Sequence, residues 1–262
     1  MTPLDKRQRR TFLLAALGGS VASLLGCGGS GSDHDAKDTP PTKPRILLPA
    51  YFYDAALWNA AITARPPGHW VIANVDNGPG TLADPHFTHL FKQTVQNGHT
   101  LFGYIATGHG QINQQAVLDQ AAAWKGLYGI EHIFLDEVGN NESSLAYYRA
   151  LIQSLRATYP SMRIVLNPGT IPLEAYFQID PLVDIVVFED RWSRFQAQTF
   201  PSWLDRWWPN THLIVYDAPI DALKTMYDFV QGKGARGFFV TDSPDAIYHE
   251  QLPSYWSLEI NL

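Results

Sequence analysis

Ile133-Phe134-Leu135-Asp136-Glu137-Val138 is the stretch on which the fold turns. Its apolar run, Ile133 to Leu135, reads as a buried strand. The run ends in two adjacent carboxylates, and the turn-forming Gly139-Asn140-Asn141 follows at once. Carboxylates are costly to desolvate unless they are paired or used. In a parallel α/β fold the C-terminal tip of a strand is where ligands sit. Asp184-Ile185-Val186-Val187-Phe188-Glu189-Asp190 repeats the design. One such segment could carry only helix-capping or loop acids. Two matching segments favour strand tips that face a common pocket.

Working outward, the same pattern predicts eight strands, over residues 46–53, 70–75, 100–106, 133–136, 163–167, 184–189, 212–217 and 236–242. Helical periodicity predicts helices over 87–96, 113–127, 143–159 and 221–231, with stops at Asn97-Gly98, Pro160 and Gly232. Alternation of strand and helix implies parallel pairing. The expected fold class is therefore α/β, a single (β/α)8 TIM barrel over residues 45–262, near the small end for that fold. An open doubly wound sheet is the alternative. No Gly-x-Gly-x-x-Gly follows the first strand, which disfavours a dinucleotide fold.

Every predicted strand ends in a hydrogen-bonding residue. Tyr53 and Asp54 end the first, Asn74 and Asp76 the second, and Tyr104 and Thr107 the third. Asp136 and Glu137 end the fourth, Asn167 the fifth and Glu189 the sixth. Tyr216 and Asp217 end the seventh, and Asp242 the eighth. In a barrel these tips ring one mouth. Acids, amides and tyrosines without a Lys or Arg cluster suit a carbohydrate rather than a phosphate. Some of these residues would instead cap the helices that follow, Asp54 and Asp217 among them. Trp192, three residues past Glu189, is the indole best placed to stack on a sugar ring, although core packing is the more frequent role of any Trp.

Other chemistries find little support. His86 and His89 are spaced i, i+3 on a predicted helix but lack a carboxylate at ligand spacing, so neither a metal nor another cofactor is expected. There is no Gly-x-Ser-x-Gly elbow of a serine hydrolase.

The first residues read as targeting. Lys6, Arg7, Arg9 and Arg10 precede an apolar run too short to span a bilayer comfortably, so residues 1–26 are expected to be a signal segment. Leu24-Leu25-Gly26-Cys27 resembles a bacterial lipobox, and Gln8-Arg9-Arg10-Thr11-Phe12-Leu13 resembles a twin-arginine signal. Cys27 is the sole cysteine and the expected site of lipidation, with residues 27–44 as a disordered Gly/Ser/Asp/Pro-rich tether. The expected location is thus an exported, membrane-anchored lipoprotein of a bacterium. Residues 1–26 carry four basic residues and one acid, net +3, so a whole-chain charge of −6 leaves −9 on the remainder. An acidic exported domain argues against a nucleic-acid partner. It is expected to act as a monomer that meets the membrane only through its lipid.

The ordered motifs resemble the spherulin-4-like family, which includes glycoside hydrolase family 135. The residues that carry the resemblance are Leu48-Pro49-Ala50-Tyr51-Phe52-Tyr53, Val71-Ile72-Ala73-Asn74 with Asn77-Gly78-Pro79-Gly80, and Gly103-Tyr104-Ile105 with Thr107. Phe134-Leu135-Asp136-Glu137, Leu166-Asn167-Pro168-Gly169-Thr170 and Val187-Phe188-Glu189 continue it. The resemblance implies a (β/α)8 fold and endo-acting hydrolysis of α-1,4-linked N-acetylgalactosamine or galactosamine polymers of biofilm matrices. It carries the family's acids to Asp136, Glu137 and Glu189. Asp76 stands where the family usually has Pro, and His109 where Tyr is common, which bears on the substrate.

The catalytic set expected is Asp136 as nucleophile and Glu189 as acid/base, with Glu137 in support and its exchange with Asp136 left open. Tyr51, Tyr53, Asn74, Asp76, Tyr104, His109, Asn167, Trp192, Tyr216 and Asp242 are the expected substrate contacts. The competing class is a non-catalytic, surface-anchored carbohydrate-binding barrel, which would not need paired acids.

Overall fold

Eight parallel strands close into a barrel in sequence order, each hydrogen-bonded to the next and the last to the first. The computed structural model describes residues 43–63, 67–245 and 247–262. The expected signal segment, Cys27 and the tether up to residue 42 lie outside the described residues. Among the described residues no helix is long and apolar enough to cross a membrane.

The strands are β1 Arg45–Ala50, β2 Trp70–Ala73, β3 Thr100–Ala106, β4 His132–Asp136, β5 Ile164–Leu166, β6 Val183–Arg191, β7 Thr211–Tyr216 and β8 Gly237–Val240. The helices are α1 Ala55–Ile62, α2 Pro85–Gln96, α3 Gln114–Tyr128, α4 Glu142–Thr158, α5 Trp192–Phe195, α6 Ile220–Lys233 and α7 Trp256–Glu259. Local chemistry explains the helix starts. Asp54, Asp84, Asn113 and Asn141 each accept a first-turn backbone N–H with their side chains, satisfying donors that the helix itself leaves unpaired.

Several boundaries differ from the sequence expectation for identifiable reasons. β1 ends at Ala50 because Tyr51 N–H pairs with the His249 carbonyl rather than with a neighbouring strand. β2 ends at Ala73, where Asn74 Oδ1 accepts from Gly78 N–H and the chain turns back on itself. Gly232 does not stop α6. The left-handed residue is Gly234 (φ 71°), which closes the helix as only glycine does readily. Asp217 is not the cap of α6; its own φ is 50°, and the capping position is Pro219. Strand and helix do not alternate throughout. A 3₁₀ turn at Glu174–Tyr176 and the four-residue α5 with two further 3₁₀ turns replace full helices after β5 and β6.

The barrel interior is filled in layers. At the N-terminal end, the guanidinium groups of Arg45, Arg163 and Arg236 stand 5.5, 5.6 and 5.9 Å from the ring of Trp70. Arg236 Nε donates to Asp184 Oδ1 at 3.0 Å. Burial alone would raise the Asp184 pKa, but His212, Arg236 and Arg163 outweigh it and hold the carboxyl low. This layer plugs one end. Tyr104 and Phe134, stacked at 6.5 Å, sit above it. The other end stays open to the polar strand tips.

Candidate active site

Asp136 is the last residue of β4 and faces into the barrel, two positions beyond Phe134 and four beyond His132. The strand ends there, so Asp136 and Glu137 do not simply alternate. Glu137 takes a left-handed φ of 53° and is exposed. Such a backbone is strained for a residue with a side chain. Thr107 holds the turn, with its hydroxyl 2.8 and 2.9 Å from the carbonyls of Asp136 and Glu137. His109 N–H donates to the Glu137 carbonyl and Val138 N–H to that of Asn167.

Glu189 reaches the same space by a different device. Asp184 lies in the interior layer against Arg236, and Glu189 is five residues later, an odd spacing that points to the opposite face of a regular strand. A β-bulge resets the parity. Val186 pairs with His212 and Phe188 with the next residue of β7, Leu213, which leaves Val187 as an extra residue. Phe188 then packs outward on Phe195, with ring centroids 5.4 Å apart, and Glu189 turns inward.

Asn167 joins the two acids. Its Nδ2 donates to Asp136 Oδ1 at 2.8 Å and to Glu189 Oε2 at 2.5 Å. Its Oδ1 accepts from Gly169 N–H at 3.0 Å, which fixes which end of the amide meets the acids. The bonded carboxylate oxygens are therefore no more than about 5.3 Å apart, the sum of the two bonds. Sequence reasoning placed Asn167 as a substrate contact; in the structure its amide is occupied by both carboxylates.

Four tyrosines surround the pair. Tyr104 donates to Asp136, which also accepts from the Glu137 N–H. Tyr51 packs edge-on against Tyr104 at 5.4 Å. Tyr216, at the tip of β7, stacks on Tyr248 at 5.4 Å, and Tyr248 donates to Glu189 Oε1. Burial and the nearby acids push Tyr51, Tyr104 and Tyr248 well above the ordinary phenol value, so all three stay protonated and able to donate. Tyr248 was missed from sequence. It lies eight residues past the end of β8, away from any strand tip, so no local pattern marks it.

The remaining expected contacts occupy other surroundings. Tyr53 is 59% exposed and stacks on His86 at 4.3 Å, outside the acid cluster. Asn74 is spent on the Gly78 turn, beside the exposed Asp76. His109 is exposed with a left-handed φ of 57°. Trp192 is half-buried against Phe195, with rings stacked at 5.6 Å. Asp242 accepts from Ser254 N–H at 3.0 Å and ties down the segment after β8.

The electrostatics divide the two acids. Burial, then the charge of Asp136, pushes Glu189 up to about 7, although Tyr248 and Asn167 pull the other way. Asp136 is also raised by burial, but three donors oppose the rise. The carboxyl group that keeps its proton near neutrality is thus Glu189, and the one best solvated by donors as an anion is Asp136. No cluster of three or more His, Cys, Asp or Glu side chains that could hold a metal ion occurs among the described residues.

Comparison with known proteins follows the same lines. Residues 45–262 match the family described as spherulation-specific family 4. Spherulin-4 of Physarum polycephalum is 29% identical over 164 residues, which cover 61% of this chain and 48% of that protein. The match thus spans about half the length of that relative. The crystal structure of Aspergillus clavatus Sph3 in complex with GalNAc superposes with a TM-score of 0.71 at 22% identity, covering 84% of this chain and 96% of that one. The glycoside hydrolase domain of PelA from Pseudomonas aeruginosa gives 0.50 at 13% identity, covering 77% and 97%. At these identities the likeness establishes the (β/α)8 fold.

Proposed function

Because the chain belongs to spherulation-specific family 4, we propose that its barrel is a retaining glycoside hydrolase acting within galactosamine-containing polysaccharides. The observation that carries this reading is the bridge from Asn167 to both Asp136 and Glu189. A retaining enzyme needs its two carboxyl groups about 5–5.5 Å apart, whereas inversion needs about 6.5–9.5 Å to fit a water molecule. Oxygens held within about 5.3 Å fit the first geometry.

In this reading Asp136 attacks the anomeric carbon while Glu189 gives its proton to the leaving glycosidic oxygen. The C–O bond breaks, its electron pair leaves with that oxygen, and a glycosyl ester forms on Asp136. Glu189, now a carboxylate, takes a proton from water. The water oxygen then attacks the same carbon and Asp136 departs as the anion. Glu137 is exposed beside the pair and raises the Asp136 pKa by its charge, which suits a supporting role.

The substrate class rests on likeness and charge together. GalNAc is the sugar in the Sph3 crystal, and the PelA domain is named a glycoside hydrolase. The mature net charge of −9 and the carboxylates at the mouth favour a polymer carrying free amines. An exported enzyme anchored through Cys27 would meet such a polymer outside the cell.

The test is digestion of a panel of polysaccharides, with mass spectrometry of the products and NMR of the newly formed anomer. Oligosaccharides of retained α-configuration are expected from α-1,4-galactosamine polymers. Asp136→Asn and Glu189→Gln should each lose about 10²–10⁴-fold, and Glu137→Gln far less. Inverted products, or a Glu189→Gln variant that keeps its rate, would overturn the assignment.

A further inference from the structure

The two acids come from β4 and β6, yet one of the bonds that hold Glu189 comes from the segment after β8. Glu189 is gripped at both oxygens: Asn167 holds Oε2, and the Tyr248 hydroxyl holds Oε1. The Tyr248 ring is not free to swing. It stacks on Tyr216 with the planes 15° apart and meets His249 edge-on at 5.1 Å. The neighbouring His249 carbonyl accepts from Tyr51 N–H at 3.0 Å, so this segment is sewn to the tip of β1. Gln251 Nε2 donates to Ser243 Oγ at 2.7 Å, a second tie between this segment and the residues just after β8.

We propose that Tyr248 is a positioning residue for the acid/base. It aims the Glu189 carboxyl and stabilises the carboxylate left after proton transfer. The inference rests on the reading of Glu189 as acid/base. In the first step the Glu189 O–H bond breaks, the proton goes to the leaving oxygen, and the electron pair stays on the carboxylate. A hydroxyl donor strengthens as that charge develops, which is the differential binding that accelerates a step. In the second step the same donor keeps Glu189 ionised and ready to receive the proton from water.

The titratable groups that face Glu189 are Asp136 from β4, Tyr51 after β1, Tyr104 from β3, and Asp245 and Tyr248 after β8, with His249 flanking Tyr248. Asp136 and Asp245 both oppose ionisation of Glu189; Tyr248 and Asn167 are the groups that favour it. Removing the Tyr248 hydroxyl must therefore raise the midpoint at which Glu189 ionises.

Tyr248→Phe keeps the ring and its stack on Tyr216 and deletes only the donor. A hydrogen bond to a charged group corresponds to about one pH unit or somewhat more. The basic limb of kcat/KM against pH should move up by about one unit, with kcat down about tenfold and KM little changed. A ¹³C-carboxyl NMR titration of Glu189 in the full chain reads the same midpoint without any substrate, and should rise in step. Recording it well below the melting temperature of the variant keeps the reading valid if the variant is less stable. An unchanged or lowered midpoint in Tyr248→Phe would overturn the inference. If Glu189→Gln is inactive while Tyr248→Phe has the wild-type profile, this inference fails and the glycosidase reading stands. If Glu189→Gln is active, the reading beneath it fails instead.

Discussion

Asn167→Ala removes one NH₂ group and with it a bond to each acid. Asn167 is only 5% exposed, and its Nδ2 lies 2.8 Å from Asp136 Oδ1 and 2.5 Å from Glu189 Oε2. A hydrogen bond to a charged group contributes about 1.5–3 kcal/mol. The two bonds share one donor and will not add fully, so about 2–4 kcal/mol is the expected loss. At about 1.4 kcal/mol per decade this is roughly 30- to 1000-fold in kcat/KM. Donors to the charged form lower a carboxyl pKa, so both limbs of the pH profile should also move upward. Asn167→Asp sharpens the test. It is isosteric, yet it replaces the donor with a third carboxylate beside the other two, and must be worse than Asn167→Ala despite leaving no cavity. Initial rates on an oligosaccharide substrate, with circular-dichroism melts to confirm folding, decide the matter. An Asn167→Ala enzyme within about threefold of wild type would refute the bridging role, since even one lost bond should cost more. So would an Asn167→Asp enzyme more active than Asn167→Ala.

Three other outcomes are expected. His69 is buried against His99, and burial, then the charges of His99 and Arg45, lowers its pKa to about 4. The unfolded chain takes up this proton near pH 6.5 and the folded chain only near 4, so stability falls as pH drops through that window, by up to about 3 kcal/mol. Urea midpoints at pH 7, 5 and 4 should show the loss, and His69→Gln should flatten it. Burial raises Glu259 to about 8 while its Oε1 accepts from Val240 N–H at 2.9 Å. The folded state then keeps a proton that the unfolded chain loses near pH 4.5, so stability falls as pH rises from about 4.5 to 8. Glu259→Gln keeps the acceptor, and its melting-temperature advantage over wild type should grow from pH 5 to pH 8.5; a constant difference would contradict the burial argument. Labelling with a fatty-acid analogue in a bacterial host should mark the wild-type chain and not Cys27→Ser, and an unlabelled, soluble wild type would remove the anchor from the proposal.

Much of the barrel was legible because its strands are short and apolar and each ends in, or is followed at once by, a polar side chain. Ile133 to Asp136 and Thr100 to Ala106 are read from sequence at nearly their full extent, since burial on both faces leaves a continuous apolar run. Capping chemistry is equally local, and Asp54 at the start of α1 behaves as its type predicts. Asp217 does not, because the chain there turns to pair Asp217 N–H with Ser243 and Ala218 N–H with Thr241 rather than entering a helix. The regions after β5 and β6 were also opaque. After β5 a buried Tyr176 donates its hydroxyl to the carbonyls of Gly139 and Asn141, more than thirty residues away in sequence, which no local pattern announces.

From the sequence alone came the strand count, the barrel, and Asp136, Glu189, Asn167, Tyr51, Tyr104 and Tyr216 as residues of one mouth. Only the tertiary structure decided how those residues meet. The extra residue at Val187 turns Glu189 inward, Asn167 sits between two acids 31 and 22 residues away, and Tyr248 reaches Glu189 across 59. The reason is physical. Hydrophobic periodicity and caps record the burial and backbone needs of each segment separately, within a turn or two of chain. Which side chains face one another across the mouth depends on strand register, bulge placement and closure of the sheet, and these are set by the packing of all eight strands at once.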